Sequence, residues 1–320
     1  MNYNYIPWTR EKAPEICDLW NRELGGQFPM RLELLLQNSF DDANVLQAGS
    51  WIALAEERVV GFIVAKRWQE QGELVLGQGN GWIQALLVHN DYRGKGIGSE
   101  LLKRAEQALK ASGAKDILLG RDPWHYFPGI PVAYTDTKSW FERRGYEDQN
   151  RDEHDLLAAY EPDQTEVLPS FPGVTFRLLQ EGEQEQLLTF LHRCFPGRWE
   201  YEAMKYFERG GTGREFVVLE KEGSVIGFCR INDAQSPLIA QNVYWAPRFA
   251  EELGGMGPLG IDGAYRGSGY GLAVVQAGVH FLRLRGIEKI AIDWTTLVAF
   301  YEKLGYQVWN KYHSFTKKAE

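Results

Sequence analysis

At 320 residues, with 44% apolar, 13% aromatic and 24% charged residues, the chain is too long for one small module and too hydrophobic for a disordered scaffold. A single core usually stops growing at ~250–300 residues, so two domains are expected. Lys and Arg total 35 against 43 Asp and Glu, a net charge of −8 without a basic run, which excludes the electrostatic footprint of a nucleic-acid partner. No apolar stretch approaches the ~20 residues of a bilayer span, and Met1 to Lys12 lacks the basic-then-apolar layout of a secretion signal. A cytoplasmic protein without a membrane partner is the expectation. Cys17, Cys194 and Cys229 are odd in number and far apart, which argues against a disulfide framework and against a cysteine-based metal site.

In chain order, Pro14–Leu24 and Met30–Gln37 are helical candidates. A β-hairpin follows, Trp51–Ala55 and Val59–Ala65 around Glu56-Glu57-Arg58. Ala85–Val88 reads as a short buried strand, and it leads into Tyr92-Arg93-Gly94-Lys95-Gly96-Ile97-Gly98. The next helix is amphipathic: Leu101, Leu102, Ala105, Ala108 and Leu109 recur at helical spacing. A β-type run follows at Lys115–Gly120. Glu161–Glu166 carries proline and charge without periodicity and reads as a linker, which divides the chain into domains 1–165 and 166–320.

The second half repeats the first. Helical candidates Glu181–Cys194 and Tyr201–Glu208 precede a hairpin of Phe216–Leu219 and Val225–Arg230. The strand Pro258–Ile261 then enters Tyr265-Arg266-Gly267-Ser268-Gly269-Tyr270-Gly271. A helix follows that is more apolar, and so more deeply buried, than its counterpart, and then the run Lys289–Asp293. Arg93 to Gly120 and Arg266 to Asp293 are the same distance apart, so loop, helix and next strand align without gaps. Trp140-Phe141-Glu142-Arg143-Arg144-Gly145-Tyr146 matches Phe300-Tyr301-Glu302-Lys303-Leu304-Gly305-Tyr306. The extra residues of the first half fall just after its strand and include Arg121–Pro131.

A strand ending in Arg-Gly-x-Gly-x-Gly before a helix presents unobstructed backbone N–H groups at the positive end of a helix dipole, an anion cradle. Its spacing is neither that of the mononucleotide P-loop nor that of the dinucleotide fingerprint. Arg93 and Arg266 could brace the turn or meet a phosphate. A single such loop could be structural. Two copies with matched flanks point to a function.

At these residues the chain resembles the GNAT superfamily of acyl-CoA-dependent N-acetyltransferases, whose pyrophosphate loop reads Arg/Gln-x-x-Gly-x-Gly/Ala. Arg93, Gly96 and Gly98 match it, as do Arg266, Gly269 and Gly271. The family's later Tyr-x-x-x-Gly-Phe/Tyr element matches Tyr301 to Tyr306, while Phe141 stands in the tyrosine's place in the first half. The resemblance implies an α/β fold of two GNAT domains, each a mixed, mostly antiparallel sheet flanked by helices. It implies acetyl-CoA held by Arg93, Gly94, Lys95, Gly96, Ile97 and Gly98, and by Arg266, Gly267, Ser268, Gly269, Tyr270 and Gly271. Backbone N–H groups at Val88 and Ile261 would polarise the thioester carbonyl, and Tyr301 would be the proton donor.

Tyr301 could instead be a core tyrosine. Asp262, which follows the strand, could be a base or an exposed turn carboxylate. In the insert, Asp122, Trp124, His125 and Tyr126 mix polar and aromatic groups suited to substrate contact, or else form a rigid loop braced by proline. Trp140 and Trp294 could line an acceptor cleft or simply pack. His89 reads as a solvated strand-end residue. No cysteine has the partners of an acyl-enzyme nucleophile, which favours direct transfer.

The expected activity is acetyl transfer from acetyl-CoA to a primary amine of a small molecule: an amino sugar, polyamine or aminoglycoside. Catalysis is expected in the second half, with the reverse allocation left open because the Arg93–Gly98 loop matches the family at least as well, in a monomer or homodimer. Open alternatives are a non-catalytic acyl-CoA-binding or sensing protein and a protein or peptide acetyltransferase.

Overall fold

The computed structural model describes residues 3–319. In its first part the chain forms β1 (Asn4–Pro7), α1 (Ala13–Leu24), α2 (Leu32–Ser39), β2 (Trp51–Ala55), β3 (Arg58–Arg67), β4 (Asn80–Val88) and α3 (Ile97–Ala111). β5 (Asp116–Leu119), β6 (Ile130–Pro131), α4 (Thr135–Glu142) and β7 (Glu147–Ala159) follow. Then come β8 (Val174–Leu178), α5 (Gln184–Cys194), α6 (Arg198–Glu208), β9 (Phe216–Lys221), β10 (Ser224–Asn232) and β11 (Leu253–Ile261). The chain closes with α7 (Tyr270–Leu284), β12 (Lys289–Thr295), α8 (Val298–Tyr301) and β13 (Gln307–Lys318).

These elements make two compact units. One comprises the chain up to Glu153 together with the residues from Lys311 on, and the other comprises His154–Asn310. A single cut at 165/166 follows the sequence repeat, whereas the compact units divide within two long strands, β7 and β13. The physical reason is strand pairing. In the first unit the end of β13 pairs antiparallel with β5, Thr316 opposite Leu118, and His313 faces Ile130 of β6. In the second unit the end of β7 pairs antiparallel with β12, Leu156 opposite Ile292 and Ala158 opposite Ile290. Each unit's sheet is completed by residues from beyond the repeat boundary.

The rest of each sheet is the same in both units. In the first, β1, β2, β3 and β4 are antiparallel neighbours and β5 lies parallel to β4. In the second, β8, β9, β10 and β11 are antiparallel neighbours and β12 lies parallel to β11. β3 and β10 are buried almost end to end, as central strands covered on both faces must be. α3 turns Ile97, Leu101, Leu102, Ala105 and Leu109 to the first core. α7 buries residues on most of its circumference, among them Tyr270, Val274, Val275 and Leu282, as its apolar sequence requires. Arg283 of α7 donates to the carbonyls of Glu161, Pro162 and Gln164, which holds the linker segment against the second unit.

Among the described residues, no helix is long and apolar enough to cross a membrane.

Candidate active site

Both glycine loops are built alike. A short 3-10 turn at Asn90–Tyr92, and its counterpart at Gly263–Tyr265, ends each strand. Gly94 and Gly96 follow at φ 73° and 87°, Gly267 and Gly269 at 84° and 82°, in the left-handed region that a side chain resists. The first helical donation is from Glu100 to the Gly96 carbonyl in one unit, and from Ala273 to the Gly269 carbonyl in the other. The N–H groups of the turn before it have no acceptor within the helix and face outward, which suits an anion. Arg93 Nε donates to the Val88 carbonyl at 2.9 Å and Arg266 Nε to the Ile261 carbonyl at 3.2 Å. Both arginines therefore brace the turn. Arg93 is also paired with Glu23, and Lys95 donates to the Asp91 carbonyl at 2.8 Å.

Beside each loop the sheet opens. The parallel pairing of β4 with β5 ends at Ile83 opposite Leu119, although β4 continues to Val88 along β3. A bulge between the pairs at Val64 and Ala65 sets Gln84 out of register at this place. In the second unit the pairing of β11 with β12 ends at Gly255 opposite Ala291, and a bulge falls across Gly257 and Pro258. A bulge bends its strand and ends the ladder, which is the cause of both gaps. The unpaired strand edge can receive an extended amide-bearing ligand as an added strand.

In the first unit the gap is part of a cavity of ≈ 930 Å³ that runs from Ala85 and Val88 to Gly96 and Gly98 of the loop. Trp140, Phe141 and Arg144 also line it. Arg144 stacks on Trp140 at 3.6 Å and donates to Ser99 Oγ at 2.7 Å. The cavity thus has apolar walls at Trp140 and Phe141, with Arg144 and the loop N–H groups at one end. His89 is not solvated: it is buried, with Arg22 at 3.2 Å from Nε2, and its Nδ1 accepts from Asp91 N–H.

The insert turns inward. Asp122, Trp124, His125 and Tyr126 are all buried, and it is Phe127, Gly129, Ile130 and Pro131 that face the cavity. Lys66, fully buried, lies 2.7 Å from both Asp42 and Asp122 and ties the insert to β3. Burial alone would lower the Lys66 pKa, but the two carboxylates more than offset it and the net shift is upward. Tyr126 Oη lies 2.8 Å from Ser39 Oγ, and Ser39 in turn donates to Gln84. The Asp122 to Tyr126 stretch therefore forms the cavity's rear support.

In the second unit Tyr301 ends α8 and is 6% exposed. Burial first, then the negative forms of Cys229 and Asp293, push its phenol well above the ordinary value, so it stays protonated. Asp262 is also buried. It caps the loop turn by accepting from Ala264 N–H at 2.9 Å and pairs with Arg193 at 2.6 Å, contacts that hold its pKa below the usual carboxylate range.

Sequence reasoning missed Asp293. It sits on β12 where pairing with β7 is interrupted between Ile292 and Thr295, and Trp294 beside it has φ 43°. Asp155 accepts from Trp294 N–H at 3.1 Å, which fixes this bulge. Asn242 donates to Asp293 Oδ1 at 3.1 Å and to the Gly257 carbonyl at 3.3 Å, and so bridges the gap between β11 and β12. Asp293 remains partly exposed. The signal for it lay in the repeat register, which sets it opposite Gly120.

A duplicated sheet of this kind, with a glycine loop and a splayed strand pair in each copy, defines a tandem acyl-CoA-dependent acyltransferase. The family model described as Acetyltransferase (GNAT) family matches residues 13–127 and 184–306, and the chain belongs to that family as a tandem member, an acyl-CoA-dependent N-acetyltransferase. The chain is 27% identical over 248 residues to a mycothiol acetyltransferase of Thermobispora bispora, covering 70% of this chain and 72% of the relative, in keeping with a tandem arrangement similar to that of mycothiol synthase. In fold it is similar to a GCN5-related glucosamine N-acetyltransferase region of a fungal multi-domain GH3 β-N-acetylglucosaminidase. That likeness has a TM-score of 0.86 at 23% identity and covers 98% of this chain and 38% of that larger one. It is also similar to a tandem GNAT protein of the clavulanic acid biosynthesis pathway, with a TM-score of 0.70 at 14% identity over 100% of this chain and 99% of the other.

Proposed function

We infer that the protein transfers acetyl from acetyl-CoA to a primary amine of a small molecule, an amino sugar, polyamine or aminoglycoside, and that the second unit carries the chemistry. The observation that carries this reading is the divergence of otherwise matched sites: Tyr301 stands in the second where Phe141 stands in the first. When bound, acetyl-CoA supplies an activated acyl group as a thioester. The residues that would hold it are the loop amides of Gly94, Lys95, Gly96, Ile97 and Gly98, and of Gly267, Ser268, Gly269, Tyr270 and Gly271. The outward N–H groups and the adjoining strand gap suit a diphosphate followed by an extended amide chain. N–H groups on the free edges ending at Val88 and Ile261 are preorganised donors for a carbonyl oxygen. Tyr301, whose phenol burial keeps in its protonated form, supplies a proton to a leaving thiolate. Asp262 we assign to holding the loop, because its oxygens are already engaged by Ala264 and Arg193.

The first unit has a cavity and a cradle but Phe141 in place of a donor, so it is read as an acyl-CoA-holding site without turnover of its own. The net charge of −8 favours a cationic acceptor. The fungal neighbour is named for glucosamine, which makes an amino sugar the first acceptor to try. Thiol release from acetyl-CoA should be followed with glucosamine, spermidine and kanamycin. Amine-dependent release is expected with at least one. Tight acetyl-CoA binding without release across the panel would instead favour a non-catalytic binding protein.

A further inference from the structure

We propose that Asp293 holds the acceptor's ammonium group in the second unit and takes its proton, an assignment that rests on the reading that this unit carries acetyl transfer. Three independent features converge on this carboxylate. The first is placement. Asp293 lies just past the last parallel pair, Gly255 with Ala291, beside the gap where β11 leaves β12. The second is aim. The bulge at Asp293 and Trp294, held by Asp155, removes the side chain from the regular alternation of β12, and Asn242 ties its Oδ1 to the bulged strand at Gly257. The third is the comparison between copies. The first unit has Gly120 at this position, and a Cβ there would lie 1.9 Å from the Phe127 carbonyl oxygen, so no side chain fits. The carboxylate is absent from the same copy that lacks the tyrosine.

The surroundings suit a base. Arg198 and Glu202 face Asp293 from α6, Asp155 from β7, and its charge is felt at Tyr301 of α8. Burial outweighs the cationic Arg198 and, with Asp155 and Glu202, raises its pKa to about 7. A carboxylate titrating there can accept a proton from an ammonium of pKa ~8 at little uphill cost, which one of pKa ~4 cannot. In the step itself one N–H bond of the ammonium breaks. Its proton moves to the Asp293 carboxylate and the electron pair stays on nitrogen as the attacking lone pair. The neutral Asp293 then returns the proton to solvent. Arg198, stacked 4.4 Å over Trp294, walls this side of the site.

Two measurements test the assignment. In carboxyl-carbon NMR of Asp-labelled protein, the resonance lost in Asp293→Asn should titrate near pH 7, and its midpoint should fall on adding glucosamine or spermidine but not uncharged N-acetylglucosamine. A midpoint in the ordinary carboxylate range, or one indifferent to both amines, overturns the ammonium site. In kinetics, Asp293→Asn should lower kcat/KM by roughly 100-fold or more and abolish the rise in rate through pH 7. If wild type acetylates either amine and Asp293→Asn keeps both rate and rise, the base assignment falls while the transfer reading stands. If wild type acetylates neither, the transfer reading falls for these acceptors and the NMR titration decides the ammonium site.

Discussion

The first and second units carry the same loop, with glycines at matching φ, arginines bonded to the same strand-end carbonyl, and helices that begin their hydrogen-bond ladders at the same register. What surrounds the loops differs. The first unit surrounds its strand gap with Phe141, Gly120 and an insert anchored on buried Lys66; the second presents Tyr301, Asp293 and Asn242. Loop geometry is a backbone property and survives duplication wherever glycine is kept. Proton chemistry is a side-chain property and can be lost from one copy through two substitutions without disturbing the cradle. On the proposed reading, binding and catalysis are separable in this fold.

The largest effect is expected in the first unit. Lys66→Ala leaves Asp42 and Asp122 buried without their shared cation, and should cost ~3–5 kcal/mol of stability, seen as hydrogen-exchange protection lost in β3 and the insert while α7 is unaffected. Unchanged protection would mean that the ion triad does not brace the cavity. Next in size, Tyr301→Phe should reduce kcat by ~100-fold or more with acetyl-CoA affinity nearly intact; full turnover in this variant would return Tyr301 to ordinary core packing.

A smaller effect concerns pH and stability. Asp293 has a folded-state pKa raised to about 7, so the folded state binds more protons than the unfolded state above the ordinary carboxylate value. Its contribution is present at low pH and lost as pH rises through 7, on the order of 1 kcal/mol between pH 6 and 8. Thermal unfolding of Asp293→Asn should lack that decline, and an identical decline in both proteins would place the titration elsewhere. The smallest effect is expected from Phe141→Tyr. Placed in a Tyr301→Phe background it should not restore thiol release, because Gly120 leaves the first unit without a carboxylate at the position of Asp293. Recovery of turnover would show that the tyrosine alone distinguishes the copies.

The repeat, the hairpins, the helices and both glycine loops were legible in the sequence because each depends on local pattern: glycine spacing, apolar period, turn residues. Other features depended on distant partners. Glu147 to Arg151, the start of β7, is a polar run without apolar alternation, so its pairing could not be read locally. Lys66 meets Asp122 across 56 positions, and nothing near either residue marks it as buried. His89 is enclosed by Arg22, 67 positions away, and Asp262 is paired to Arg193. Asp293 was in view as the register partner of Gly120, but the bulge that makes it useful is set by Asp155 on another strand.

Filling one cradle at a time separates the two copies and decides which of them carries the chemistry. Gly98 and Gly271 have open or ordinary contacts around a would-be Cβ, the nearest being Trp140 at 3.4 Å and Phe300 at 3.9 Å, so there is room for a Cβ at either. Amine-dependent thiol release should be measured for Gly98→Trp and Gly271→Trp side by side. Gly271→Trp should stop turnover while Gly98→Trp retains it; loss in Gly98→Trp with activity kept in Gly271→Trp would place the chemistry in the first copy.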